Sequence, residues 1–141
     1  GLYGVLADRI DLGDGYDSYS LTLDAQGGLR GDVSGFFNGG AGEDVFDYDS
    51  SSSSGLSFGG FRGTVNGGDD DDIINFGLVA QGSRAQTGTI NGDGGFDTLN
   101  LVGWDMADVS LSANSAVLTF GQQTLNLSGI EASLADDGQI L

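Results

Sequence analysis

The feature that most narrows what this chain can become is a seven-residue motif that returns four times: DLGDGYD at Asp11 to Asp17, NGGAGED at Asn38 to Asp44, NGGDDDD at Asn66 to Asp72, and NGDGGFD at Asn91 to Asp97. Each copy opens on Asn or Asp and closes on Asp, and the closing aspartates stand 27, 28 and 25 residues apart. An apolar residue precedes each copy: Ile10, Phe37, Val65 and Ile90. Apolar residues also stand second and fourth after each copy, as Tyr19 and Leu21, Phe46 and Tyr48, Ile74 and Phe76, and Leu99 and Leu101. That alternation marks a strand with one buried face. A unit of this size that keeps its side-chain columns cannot bury its apolar face alone and must stack on its neighbours. The repeat therefore predicts an all-β chain, a right-handed parallel β-solenoid of the β-helix or β-roll kind, with about five coils. Residues 1 to 141 are read as one such domain, cut or processed from a larger secreted protein, with helix scarce.

The fifth coil is assigned to TLNLSG at Thr124 to Gly129, which follows TLNLVG at Thr98 to Gly103 by 26 residues and places Leu125 and Leu127 in the columns of Leu99 and Leu101. Asp47, Asn75, Asn100 and Asn126 then form a polar column between the apolar ones. Between the shared strands the sequence varies. Leu21 to Gly35, the serine run Ser50 to Ser54 with Gly55, and Val79 to Gly88 read as corners and short strands, with Gly35, Gly63 and Gly88 recurring two residues before the apolar flank. Val109 to Leu111 and Val117 to Phe120 read as less regular final coils, and Phe61 and Trp104 as core or cap residues.

Composition decides the chemistry. Asp and Glu number 21 against four Arg and no Lys, a formal charge of -17. Nucleic acid is excluded as a partner because its phosphates are bound by neutralising them, and anionic membrane surfaces are excluded likewise. No stretch is long and apolar enough for membrane insertion through a helix. Leu, Ile, Val and Phe make up 38 of the 141 residues, enough for a core. With no Cys and no His there is no disulfide, no thiolate and no imidazole ligand. What remains are carboxylates, hydroxyls and amides, hard oxygen donors suited to calcium.

Eleven of the acidic residues fall inside the four motifs, which occupy 28 positions. Stacked in register, these loops form one acidic ridge whose carboxylates repel one another unless a cation lies between them. The glycines of the loops let the backbone turn its carbonyls toward one point. The candidate calcium ligands are the carboxylates of Asp14, Asp17, Asp44, Asp69, Asp70, Asp72, Asp93 and Asp97, the amides of Asn38, Asn66 and Asn91, and the carbonyls of Gly40, Gly42, Gly68 and Gly95.

Gly39 to Asp47 (GGAGEDVFD) resembles the nonapeptide G-G-x-G-x-D-x-U-x of the repeats-in-toxin, or RTX, calcium-binding proteins, where U is a large apolar residue. Gly92 to Asn100 departs from it only at Asp93, Gly67 to Asn75 only at Asp70, and Leu12 to Ser20 only at Leu12. The resemblance implies that the sixth-position aspartates, Asp44 first and then Asp97, Asp72 and Asp17, give carboxylates to calcium held between successive turns, with loop carbonyls completing the ligands. RTX nonapeptides run in tandem, whereas here one motif occurs per 25 to 28 residues, which implies a larger coil with calcium along one edge.

The function expected from these features is a calcium-stabilised extracellular or cell-surface structural module of an adhesin, surface layer or filament, not an enzyme. A glycan-binding or folding module of a secreted polysaccharide-active enzyme or toxin is the alternative. The expected partners are calcium ions, further copies joined end to end through open strand edges at Gly1 to Ala7 and past Leu127, and a cell-surface glycan.

Overall fold

A computed structural model of the chain describes residues 9–22, 35–49, 61–77, 86–120 and 123–140. Among these residues the chain is all-β, and its one helical element is a 3-10 turn at Met106–Asp108. Eight strands come first: β1 (Arg9–Asp14), β2 (Ser18–Thr22), β3 (Phe36–Ala41), β4 (Val45–Asp49), β5 (Thr64–Asp69), β6 (Ile73–Gly77), β7 (Gln86–Asp93) and β8 (Thr98–Leu101). Each motif leads from an odd-numbered strand, through a glycine turn, into the even-numbered strand that follows. Then come β9 (Val109–Leu111), β10 (Val117–Phe120), β11 (Gln123–Ser128), β12 (Ala132–Ala135) and β13 (Gly138–Gln139).

Among the first eight strands the odd ones lie side by side in one sheet, whose order is β1-β3-β5-β7-β11-β10-β9, and the even ones in a second, whose order is β13-β12-β8-β6-β4-β2. From β1 to β11 and from β2 to β12 every pairing is parallel. The register is the one the columns require: Ile10 lies beside Phe37, Phe37 beside Val65 and Val65 beside Ile90. Tyr19, Phe46, Ile74 and Leu99 follow one another across the second sheet, as do Leu21, Tyr48, Phe76 and Leu101. A shift of one residue would turn every one of these side chains to the opposite face, so burial fixes the register.

The inner faces of the two sheets share one core. Phe37 of the first sheet meets Phe46 of the second with ring centroids 4.9 Å apart, and Phe61 packs edge-on against Phe76 at 5.1 Å. Phe61 and Trp104 are both buried, in keeping with a core role. The backbone of Phe61 is held by the buried amide of Gln123, which accepts its N–H at 2.9 Å and donates to its carbonyl at 2.8 Å. Gly88 explains how the ring of Phe61 fits, because a β-carbon there would stand 2.7 Å from Cδ1 of that ring.

Two sequence-based expectations are corrected. The stretch Thr124 to Gly129 does not continue the columns of Leu99 and Leu101; it forms β11 and joins the other sheet, pairing Leu125 with Gly88 and Leu127 with Ile90. The strand that follows β8 is β12, with Ser133 beside Leu99 and Leu134 beside Asn100. Asn126 is therefore beside Thr89, while Asn100 donates to Oδ1 of Asn75 at 2.8 Å in the polar column it leaves. The pieces Val109 to Leu111 and Val117 to Phe120 are strands, yet they run antiparallel as a β9-β10-β11 meander. The side of β11 that faces away from β7 is thus paired by β10. The expected corners Ser50 to Gly55 and most of Leu21 to Gly35 and Val79 to Gly88, together with the segment Gly1 to Ala7, lie outside the described residues.

Candidate metal centre

Two columns of positive backbone φ make the turns. The third motif position holds Gly13, Gly40, Gly68 and Asp93, and the fifth holds Gly15, Gly42, Asp70 and Gly95; all eight have positive φ. Glycine enters this region freely, whereas an L side chain pays roughly 1–2 kcal/mol. Asp70 at 77° and Asp93 at 72° are thus the two places where the motif departs from glycine but the backbone does not. Identical turns stack with their carbonyls directed at the next rung: the carbonyl oxygen of Gly13 abuts Cα of Gly40, and that of Gly40 abuts Cα of Gly68.

The closing aspartates form a ladder inside this stack. The N–H of Asp17 donates to Oδ1 of Asp44, that of Asp44 to Oδ1 of Asp72, and that of Asp72 to Oδ1 of Asp97, each at 2.8 Å. The backbone reinforces each step, since the N–H groups of Val45, Ile73 and Thr98 donate to the carbonyls of Asp17, Asp44 and Asp72 at 2.9 Å. Asp44, Asp72 and Asp97 each commit one carboxylate oxygen in this way to the preceding rung. The second oxygen, Oδ2, is buried and without a hydrogen-bond partner in the protein at Asp17, Asp44, Asp72 and Asp97 alike.

These orphan oxygens face further acceptors. Where a β-carbon of Gly39 would begin stand Oδ2 of Asp44 and the carbonyl oxygen of Gly67. At Gly67 the pair is Oδ2 of Asp72 and the carbonyl of Gly92; at Gly92 it is Oδ2 of Asp97 and the carbonyl of Gly129. Acceptors that converge without a donor leave a desolvation cost of more than about 1–3 kcal/mol per charged group. Burial accordingly pushes the carboxyls of Asp44 and Asp97 above their ordinary range and that of Asp72 to about 7, with neighbouring carboxylates adding to the rise. A proton or a cation would satisfy such a cradle. Carboxylate and carbonyl oxygens are the hard donors that calcium takes, so the residues fit that ion.

The structure sorts the sequence-based candidates. Asp17, Asp44, Asp72 and Asp97 are brought into one column, whereas the carbonyls of Gly40 and Gly68 point to the next turn, at Gly68 and at the N–H of Gly94. Asn38, Asn66 and Asn91 stand on the opposite face of their strands from Gly39, Gly67 and Gly92; Asn91 donates to Oδ1 of Asn66 at 2.8 Å and accepts from the hydroxyl of Ser128 at 2.6 Å. The side chains of Asp14, Asp69, Asp70 and Asp93 are exposed on the outside of the turns. Gly42 and Gly95 belong to the second positive-φ column. Among the described residues no three Asp or Glu side chains converge on one point. The acidic ridge is thus a file of single carboxylates spaced one per rung, with a carbonyl oxygen beside those of Asp44, Asp72 and Asp97.

Several residues at the site carry no signal in the motif alone. Gly39, Gly67 and Gly92 matter because their missing side chains make the cradle, which only the stacked neighbour reveals. Glu131 accepts the N–H of Asp97 at 2.8 Å and so ends the ladder in a loop that lacks the motif. The sixth motif position exposes Tyr16 and Phe96, 82% and 55% accessible, at the rim of an open groove of about 590 Å³ that also takes in Glu43 and Asp71. No family model, curated protein or solved structure matches this chain.

Proposed function

We propose that the chain is a right-handed β-solenoid of about five coils that calcium stiffens along one edge, and that it serves as a structural module of a secreted adhesin, surface layer or filament rather than as an enzyme. The parallel strand pairs and the repeated short turns between the two sheets support the solenoid, and parallel crossovers are right-handed in about 98% of cases. The observation that carries the calcium is the file of buried Oδ2 atoms at Asp17, Asp44, Asp72 and Asp97, each without a donor. The RTX-like sequence pattern of the same four loops points the same way. A site absent from the unfolded chain makes metal binding into folding free energy. Affinity between about micromolar and millimolar suits the calcium of the extracellular space.

Thermal unfolding followed by circular dichroism, in calcium and in excess chelator, tests the reading. The melting temperature should rise with calcium concentration and fall on chelation, and magnesium should substitute poorly because it dehydrates reluctantly. Equal melting in calcium and chelator would overturn it.

A second reading, a glycan-binding module, is favoured by one feature: the exposed rings of Tyr16 and Phe96 flanking a groove with carboxylates between them. Pull-down on immobilised polysaccharides with the wild type and with Tyr16→Ala/Phe96→Ala separates the two, since only glycan binding requires the rings.

A further inference from the structure

The four motifs account for three spaces between rungs, one below each of the second, third and fourth turns. The structure adds a fifth rung that the motif does not describe. Ser128 pairs in register with Asn91 and Ala132 with Thr98, so Ser128 to Glu131 covers in four residues what the motif covers in seven. Despite the shorter loop, its polar groups repeat the pattern of the others. Gly129 has positive φ, at 63°. Its carbonyl meets Oδ2 of Asp97 at the Cα of Gly92, as the carbonyl of Gly67 meets Oδ2 of Asp44 at Gly39. Glu131 supplies the carboxylate oxygen that takes the N–H of Asp97, and the N–H groups of Glu131 and Ala132 donate to the carbonyl of Asp97, each at 3.1 Å. Asp97 is fully buried and its Oδ2 has no donor.

We propose that this shortened loop completes a fourth calcium site, between Asp97 and Gly129, with the Glu131 carboxylate as its added negative charge. The inference rests on the calcium reading above and goes beyond the motif, which ends at Asp97. Its donors are Oδ2 of Asp97 and the carbonyl oxygen of Gly129, which meet where a β-carbon of Gly92 would stand. Glu131 replaces the aspartate of a complete motif because the loop is three residues shorter and the longer side chain spans the difference. Full occupancy would then place four divalent ions on the chain, taking the formal charge from -17 to -17 + 8 = -9. Three ions would leave it at -11.

Native mass spectrometry of the whole chain saturated with calcium, with isothermal titration to give the affinities, counts the ions directly. Wild type should hold four. Glu131→Gln keeps an oxygen for the Asp97 N–H but removes the charge, and should hold three or bind its weakest ion at least tenfold less tightly. Asp17→Asn removes a carboxylate at the other end of the file, so the double variant should lose two. A circular dichroism spectrum with wild-type strand signal shows that each variant is folded, and Asp97→Asn serves in place of Glu131→Gln should that variant fail to fold. Three ions in wild type and three in Glu131→Gln, with equal affinities, would overturn the fourth site while leaving the calcium reading intact. No bound ions in wild type would overturn both.

Discussion

The parallel stack β1 to β8 and the C-terminal strands β9 to β13 use the same residue, aspartate, to opposite effect. In the C-terminal part, Asp136 accepts the N–H of Gly103 with both oxygens at 3.1 Å, and Asp137 accepts that of Met106 at 2.7 Å, all at the solvent surface. Water solvates whatever these carboxylates leave over. In the stack, the carboxylates of Asp44, Asp72 and Asp97 each accept a backbone N–H too, at 2.8 Å, but with the second oxygen buried and without a donor. One arrangement is complete in the protein alone. The other leaves a buried oxygen without a donor, the feature on which the proposed calcium site rests.

Glycine replacements should show the largest contrast. A β-carbon at Gly92 would collide with the carbonyl of Gly129 and Oδ2 of Asp97, neither of which can move without breaking the stack. Gly92→Ala should cost about 3 kcal/mol in denaturant unfolding. Gly138→Ala, in the C-terminal part, would meet only the flexible thioether of Met106, with Sδ at 2.6 Å, and should cost less than about 1 kcal/mol. Similar losses at both positions would mean that the cradle is not tight.

Charge removal at the centre of the file should change sign with the buffer. Asp72→Asn keeps the acceptor for Asp44 but abolishes a buried charge, so in chelator at neutral pH it should stabilise the fold by about 1–2 kcal/mol. In calcium it should weaken binding about tenfold, or 1.4 kcal/mol. The pH dependence follows the same logic. The folded-state pKa of Asp72 is raised from 3.8 to about 7, so the folded chain holds its proton more tightly than the unfolded chain does. Chelated protein should therefore lose stability as pH rises across that window, and calcium, which competes with the proton, should offset the loss. Thermal melts at pH 5 and pH 8 with and without calcium check both signs.

Smaller effects belong to the turn backbone. Asp93→Gly relieves a side chain held at φ 72° and should add about 1 kcal/mol in chelator, provided the fold is otherwise unchanged. Smallest of all, Asp137→Ala should cost about 0.5 kcal/mol through the lost Met106 contact, and by the same amount in calcium and chelator.

The stack was readable in the sequence because its physics is local and periodic. A strand hides alternate residues, a turn of constant length holds the phase, and Phe37, Val65 and Ile90 therefore announce their own partners. The C-terminal part was not readable for the same reason. TLNLSG looks like TLNLVG, but a strand leading into a turn and a strand leading out of one carry the same alternation, so Leu125 and Leu127 could be placed in either sheet. What decides between them is the antiparallel meander from Val109 to Phe120, whose partner across the sheet is set by long-range pairing. Asp44 and its equivalents were legible from spacing. Their orphan oxygens were not, because they arise from the neighbouring rung, and Glu131 was hidden by a loop three residues short of the motif.

Amide hydrogen exchange, measured residue by residue in calcium and in chelator, tests most directly whether the stranded oxygens are cation ligands. The N–H groups of Asp17, Asp44 and Asp72 end on carboxylates of the file, and that of Asp97 on Glu131. A cation locking those carboxylates should slow the exchange of all four, while Gly103 and Met106, held by the solvent-facing Asp136 and Asp137, should be far less affected. Equal protection of the four amides with and without calcium, in protein shown to be folded, would contradict the account.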